Sequence, residues 1–378
     1  MADNRLYIDF HVIQTVPPSC VNRDDTGRPK TAVYGGANRA RVSSQAWKHS
    51  MREMFKELVD NEKMGYRTKY IKQLIIENMC KLSPNGDKSK YDDAVDEIMK
   101  LKYKLNNKDH ALFSFENSEK TKVLFFISNV QSIKFAEKVL EDIKRWQEKT
   151  TEDKKSKIKD IANVQEYRKI LSDNPSIDLA LFGRMAADDN DLNVDASAQV
   201  AHSISTHAVQ NEYDYFTAVD DCSPADNAGA GHLGTMEFNS STLYRYATVN
   251  AADLFKLIGE DTADAVKAFA QAFICSMPTG KQNSYANKTL PDMVYVTVRK
   301  DQPVNLCGAF EKPVYSKEGY AELSKEALFG YAQKLYEDYS DPPVCSFVLG
   351  HDAVLGAEKV DLSALVEKLH EYIANEVV

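Results

Sequence analysis

A charged, lysine-rich stretch from about Tyr66 to Pro175, mostly helical in period, stands between segments that read as strands. That interruption constrains the fold more than any other feature of the chain. A sheet opened by the segment before it must be completed by segments more than a hundred residues later. KYIKQLIIENMCKL and IKFAEKVLEDIKRWQEK carry the helical repeat, and only KVLFFISN within the stretch reads as extended. The stretch is therefore expected to be an insertion beside the sheet.

RLYIDFHVIQTV, from Arg5 to Val16, is rich in β-branched and aromatic residues and is read as the first strand, ended by Pro17 and Pro18. A loop with Asp25, Gly27 and Pro29 follows, then a short apolar piece, Thr31 to Tyr34, then Gly35 and Gly36. The next segment reads as a helix beginning at Ser43 or Ser44, either of which can cap free backbone N–H groups. Trp47, Met51, Met54, Phe55 and Leu58 make its apolar stripe. Gln45, Lys48 and Arg52 share a polar face near its start.

Beyond the insertion, SIDLALFGRM reads as a return to extended, buried chain. DYFTAVD and EFNSSTLYRYATVN flank a Pro-, Asn- and Gly-rich loop, as in a hairpin with a long tip. A helical region, AADLFKLIGEDTADAVKAFAQAFICSMP, and a strand, MVYVTVRK, come next. From Asp301 the tail is acidic, with 6 Lys or Arg against 14 Asp or Glu, and reads as helical. Strand, helix, insertion, strands, helix and strand fit an α+β chain with a ferredoxin-like, split β-α-β core.

The net charge of −9 excludes a wholly basic, indiscriminate nucleic-acid binder. Its distribution is uneven. Through Arg52 there are eight Lys or Arg against four acids, so a basic surface is built locally on an otherwise acidic chain. Gly35 and Gly36 allow close approach of backbone to a ligand, and Arg39, Arg41 and a Ser-capped helix N-terminus follow. Together with Arg23 and Lys30 on the preceding loop, this outlines a site for phosphates, which Gln45, Lys48 and Arg52 extend along the helix. The bland alternative is an exposed helix with solvated cations. Met185 and Phe216 are apolar residues placed where a base can stack, although such residues are more often core.

Other chemistry is poorly supported. Gly280 and Lys281 lack the upstream glycine of a phosphate-binding loop and are followed by Gln282, although Lys281 can still touch phosphate. Asp220 and Asp221 have no third metal ligand spaced with them, and His202 and His207 have no nucleophile; structural roles are expected for all four. The six cysteines, Cys20, Cys80, Cys222, Cys275, Cys307 and Cys345, are scattered and read as reduced thiols. No catalytic residue, metal or cofactor is expected. With no run of about 20 apolar residues and no signal-peptide layout at the N-terminus, a cytoplasmic protein without membrane contact is expected.

The blocks from Pro18 to Arg52, and then ALFGRMA, AHSISTHAV, DYFTAVDD, GHLGTMEFNSSTLYRYA and PTGKQNSYA, resemble in that order the CasC family, the RAMP-type backbone subunit of type I-E CRISPR Cascade. The resemblance covers the first sixty residues and most of Leu179 to Val298; the insertion and the tail carry no matched motif. It implies a hand: an RNA-recognition-like palm (1–65, 179–207 and 242–378), helical fingers (66–178) and a β-hairpin thumb (208–241). Copies would stack head to tail along one CRISPR RNA, each thumb kinking the RNA at regular intervals and leaving the bases between free to pair with target DNA. Other partners would be the large, small, 5′-handle-capping and crRNA-processing endonuclease subunits. By position, Arg23, Lys30, Ser43, Gln45 and Lys48 would hold the RNA backbone, while Met185, Phe216 and Thr217 would pack against bases at the kink. Ala37 and Asn38 stand where basic residues can occur, which throws weight on Arg39 and Arg41. The alternatives are a backbone subunit with metal-dependent ribonuclease activity at Asp220 and Asp221, and a protein-only scaffold.

Overall fold

The computed structural model describes residues 5–105, 108–150, 157–186, 189–218 and 232–377. They form two compact units. The first comprises Met1–Phe55, Ala198–Ala252 and Ala263–Val378; the second comprises Lys56–Ser197 and Asp253–Thr262.

The first unit is built on β1 (Tyr7–Ser19), which pairs antiparallel with the long strand His232–Asn250 on one side and Met293–Arg299 on the other. Being central, it is buried on both faces. Ile8, Phe10 and Val12 turn one way, where Phe10 meets Phe269 and Phe273 of the helix Thr262–Cys275 at 5.6 and 6.0 Å. Ile13 turns the other way, into a cluster with Leu306, Phe310, Leu328 and Phe329. Each such side chain contributes about 1.5–3 kcal/mol on burial. β1 does not end at Pro17 as the sequence suggests. It continues through both prolines to Ser19, because the ladder shifts between Val16 and Ser19 and asks nothing of the missing N–H groups there.

After β1 come β2 (Thr31–Tyr34), β3 (Ala37–Val42) and α1 (Ser44–Leu58). The sheet runs Glu358–Lys359, Cys345–Leu349, Met293–Arg299, β1, His232–Asn250, Ser203–Ser205, β3, β2, with Ala198–Val200 also on the long strand. Its four inner strands stand in the order expected of a split β-α-β core, the fourth beside the first and the second at the far side of the third. The tail differs from expectation: between its helices Ala321–Asp338 and Leu362–Glu376, Cys345–Leu349 and, beside it, Glu358–Lys359 join the sheet.

The second unit has its own core, in which Ile71, Ile75 and Met79 of the helix Ile71–Leu82 pack with Phe135, Val139 and Ile143 of Asn129–Thr150. The strand read in KVLFFISN is Phe125–Ser128, paired with Gly65–Thr68. The segment read as extended after the insertion is instead the helix Ile177–Phe182, closed by Gly183 at φ 78°, and belongs to this unit. Leu and Ala favour helix where no β-branched run opposes it.

Candidate nucleic-acid interface

The loop between β1 and β2 is held by its own polar groups. Asp24 Oδ1 accepts from the Thr26 hydroxyl and from the backbone N–H groups of Thr26 and Arg28 at 2.8–2.9 Å, which holds its carboxyl below the usual range. Lys30 N donates to the Asn22 carbonyl at 2.8 Å, and Asn22 Oδ1 accepts from Ser43 N at 3.0 Å. The loop that exposes Arg23 is thereby fixed to the start of α1.

Gly35 and Gly36, at φ 57° and 74°, form the two-residue turn between β2 and β3. Gly35 does not open a path for a ligand: a Cβ there would collide with the Glu311 carbonyl, so its close approach is to the protein's own backbone, whereas Gly36 faces open space. Arg39, expected at the phosphate site, is not available there. It is fully buried, and its guanidinium donates to the carbonyls of Ser205 and Phe310 at 2.9 Å and of Tyr34 and Glu311 at 3.3 Å. No face is left for RNA, and burial lowers its pKa. Arg41 is half-buried; it reaches the Thr31 carbonyl at 3.2 Å and His202 Nδ1 at 3.1 Å. Burial, then the charges of Arg41 and Lys30, lowers the His202 pKa, which places both cations beside that ring.

Ser43 caps α1 through its Oγ, 3.3 Å from Ala46 N, and is itself buried, so its hydroxyl serves the helix first. Below the helix, Trp47 Nε1 donates to Ser203 Oγ at 3.0 Å, while the buried Arg245 stacks on the indole at 3.8 Å and donates to Gln14 and to the Phe273 carbonyl. Burial pushes the Arg245 pKa down to about 9. This pin orients α1 so that Gln45 is exposed and Lys48 and Arg52 are half-buried on the outer face.

A cleft of about 510 Å³ separates Arg23, His49 and Ser50 from Thr279 and Gly280. Beyond it, Lys281 and Ala286 adopt left-handed backbone at φ 53° and 49° on either side of the single helical turn Gln282–Tyr285. Two non-glycine residues so placed in one short segment mark a strained, over-determined loop. Gly280 packs on the Val21 carbonyl, where a Cβ would not fit. This brings Lys281 to the same place as Arg23: the Cys20 thiol, pushed up by burial, feels both positive charges pulling it down.

Glu212–Ala218 pairs with the start of the long strand, so the hairpin and the core sheet share one nineteen-residue strand. Tyr213, Tyr215 and Thr217 lie exposed on one face. Phe216 lies on the other, its ring over Gly234, and is 39% exposed. Asp220 and Asp221 lie outside the described residues. Among the described residues no group of three or more His, Cys, Asp or Glu is placed to hold a metal. His207 is structural: it stacks on Tyr320 at 3.7 Å, bonds the Ala208 carbonyl through Nδ1 and accepts from Thr242 N at Nε2.

In the second unit, Met185 is 82% exposed although both its neighbours are anchored. Arg184 is buried and donates to the carbonyls of Leu171, Leu192 and Phe126 at 2.7–3.0 Å; Ala186 N donates to Asn193 Oδ1. The apolar Met185 side chain thus stands exposed on a well-anchored backbone.

The first unit thus carries Arg23, Lys30, Arg41, Gln45, Lys48, Arg52 and Lys281, and places Arg23 near Lys281 and Lys30 near Arg41. Sequence reading overlooked the Trp47–Arg245 pin, Tyr285, and an ion pair from Arg28 to Glu237 at 2.8 Å, none of which carries a local signal.

No curated protein matches the chain. Among solved structures, a chain of a "CRISPR RNA-guided surveillance complex, pre-nicking" is 30% identical with a TM-score of 0.78, over 96% of this chain and 100% of that one. A chain of a "CRISPR RNA-guided surveillance complex" is 27% identical with a TM-score of 0.71, over 96% of this chain and 99% of that one. The model of the CT1975-like protein family matches residues 8–374, nearly the whole sequence, and the chain therefore belongs to that family.

Proposed function

We propose that this protein is a non-catalytic backbone subunit of a CRISPR RNA-guided surveillance complex, of type I-E, whose copies line up along the guide RNA. The observation that carries the reading is the approach of Arg23 to Lys281, both acting on Cys20, at a cleft of the first unit that is also lined by Ala46, His49 and Ser50 of α1. Cations on separate rigid elements suit a run of phosphates better than a single anion, and phosphate contacts hold a strand without reading its sequence. Likeness to chains of such complexes over 96% of the length supports the same role.

The sheet with α1 is then the palm, the second unit the fingers and the hairpin the thumb. Phe216 and Thr217, and on the fingers Met185, are proposed to pack against bases displaced from the stack, leaving the others free to pair with target DNA. Sequence is read by the guide, and the protein contributes shape and charge. The other subunits of the complex and a cytoplasmic setting belong to the same reading; no helix among the described residues is long and apolar enough to cross a membrane. The test is purification with partner subunits, followed by the ratio of absorbance at 260 and 280 nm and sizing of the bound RNA. Protein free of RNA, yet assembled into filaments, would replace this reading with a protein-only scaffold.

A further inference from the structure

The hairpin leaves the core sheet at a defined place. His232–Asn250 pairs with β1 as far as Val16 opposite Ser241; the ladder then shifts at Pro17 and Pro18 and resumes only at Ser19 opposite Asn239. From Phe238 outward the strand pairs with Glu212–Ala218 instead. The change of partner is a natural hinge, since an irregular ladder bends more readily than a regular one.

Two contacts cross this hinge, one on each face of the hairpin, because adjacent residues of a strand point to opposite sides. On one face Glu237, whose side chain is only 10% exposed, pairs with Arg28 at 2.8 Å. It also accepts from Asn211 Nδ2 at 3.0 Å, and Asn211 Oδ1 accepts from Asn239 Nδ2 at 3.0 Å, which ties both strands at the root. On the other face the Tyr285 hydroxyl lies 3.5 Å from Met236 Sδ, and its ring stands 6.0 Å from that of Phe238. Arg28 belongs to the loop that carries Arg23 and Lys30. Tyr285 belongs to the strained turn that carries Lys281.

We propose that Arg28–Glu237 and Tyr285–Met236 are paired braces that set the angle of the hairpin, each anchored in a loop that also offers cations to RNA, so that RNA occupancy and hairpin angle are thermodynamically linked. The proposal rests on the RNA-backbone reading above. When RNA orders the Arg23 and Lys281 loops it fixes the far ends of both braces; by linkage, a hairpin held at the right angle favours RNA binding by the same factor. Glu237 and Tyr285 are positioning residues. A carboxylate so close to cations meant for phosphate would weaken the site if it had no such task. Its pairing with Arg28, the loop cation turned to the hairpin, gives it one.

The experiment uses the full chain assembled with its partner subunits on a defined guide RNA, and reads 2′-hydroxyl acylation at each nucleotide. Under the proposal, wild type gives a regular pattern of reactive and protected positions. Glu237→Gln keeps the shape and the Asn211 bond but lowers the contrast of that pattern about threefold or more, with the melting temperature of the assembly unchanged. Arg28→Glu does the same, and Arg28→Glu combined with Glu237→Arg restores the contrast, which a merely space-filling role would not. A patterned wild type matched by an equally patterned Glu237→Gln, or a charge swap without rescue, overturns the braces and leaves the backbone reading standing. Uniform reactivity along wild-type RNA overturns the backbone reading, and the braces with it.

Discussion

Removing Arg23 and Lys48 together should change how binding depends on salt more than it changes which RNA is bound. With the enclosed Arg39 set aside, the proposed site has six cations, Arg23, Lys30, Arg41, Lys48, Arg52 and Lys281. If each neutralises one phosphate of a single strand, the slope of log K against log salt is about −0.7 per contact, or roughly −4 for one copy. Between 50 and 200 mM salt that is a loss of about 300-fold in affinity; with four contacts left the loss is about 50-fold. The assay is fluorescence anisotropy of a labelled RNA long enough for one copy, titrated at four salt concentrations, with the wild type and Arg23→Ala/Lys48→Ala on three unrelated sequences. A slope reduced by about 1.4 on all three sequences is expected. An unchanged slope, or a loss confined to one sequence, would refute the assignment of these side chains to phosphates.

Arg39→Met should leave the salt slope alone and destabilise the fold by about 3 kcal/mol or more in urea titrations, because the buried carbonyls of Tyr34, Ser205, Phe310 and Glu311 lose their donor. Asp9 gives a pH signature: burial raises its carboxyl pKa from 3.8 to about 6, so the folded state holds the proton more tightly than the unfolded one. Its contribution is fully present below about pH 3.8 and is lost as pH rises through 6; Asp9→Asn should flatten that fall in denaturation measured across the window. Matched RNA incubated with the complex and magnesium should stay intact; regular cuts abolished by Asp220→Ala would show a ribonuclease instead.

The sequence carried the element order well because long periodic runs dominate it. The apolar stripe of α1 is the one buried, through Trp47, Met51 and Phe55, and a separate compact unit, Lys56–Ser197 with Asp253–Thr262, takes in the interrupting stretch with wider bounds than 66–178. What was not legible depended on partners remote in sequence. Pro17 and Pro18 look like a strand end until the shifted ladder is known. Gly35 looks like a ligand cradle until Glu311 arrives behind it, 276 residues later. Arg39 looks like the strongest cation in the block because nothing nearby in the chain shows that it will be enclosed. The hairpin brace escaped notice for the same reason: Arg28 and Glu237 meet only because a shared strand carries the hairpin root back to the first loop.

Four buried arginines sharpen what a basic motif can mean. Arg39 in NRAR, Arg184 in GRMA, Arg245 in YRYA and Arg299 in VRK are each at most 4% exposed. Backbone carbonyls are acceptors for all four, and among the described residues only Arg299 of the four forms an ion pair, with Asp301. A guanidinium suits that duty, since it stays charged and spreads five donors in a plane, and an unpaired buried carbonyl costs about as much as a lost hydrogen bond. The most recognisable blocks of the chain therefore mix two kinds of cation. Some, such as Arg39 and Arg245, wire β3, α1 and the long strand together, and without them the surface would have no fixed shape. The others, Arg23, Lys48 and Lys281 above all, sit on that wiring and face outward. Charge counted along the sequence cannot separate the two, so a net charge of −9 is compatible with the phosphate site proposed above: what matters is which cations reach the surface, and how firmly they are held there.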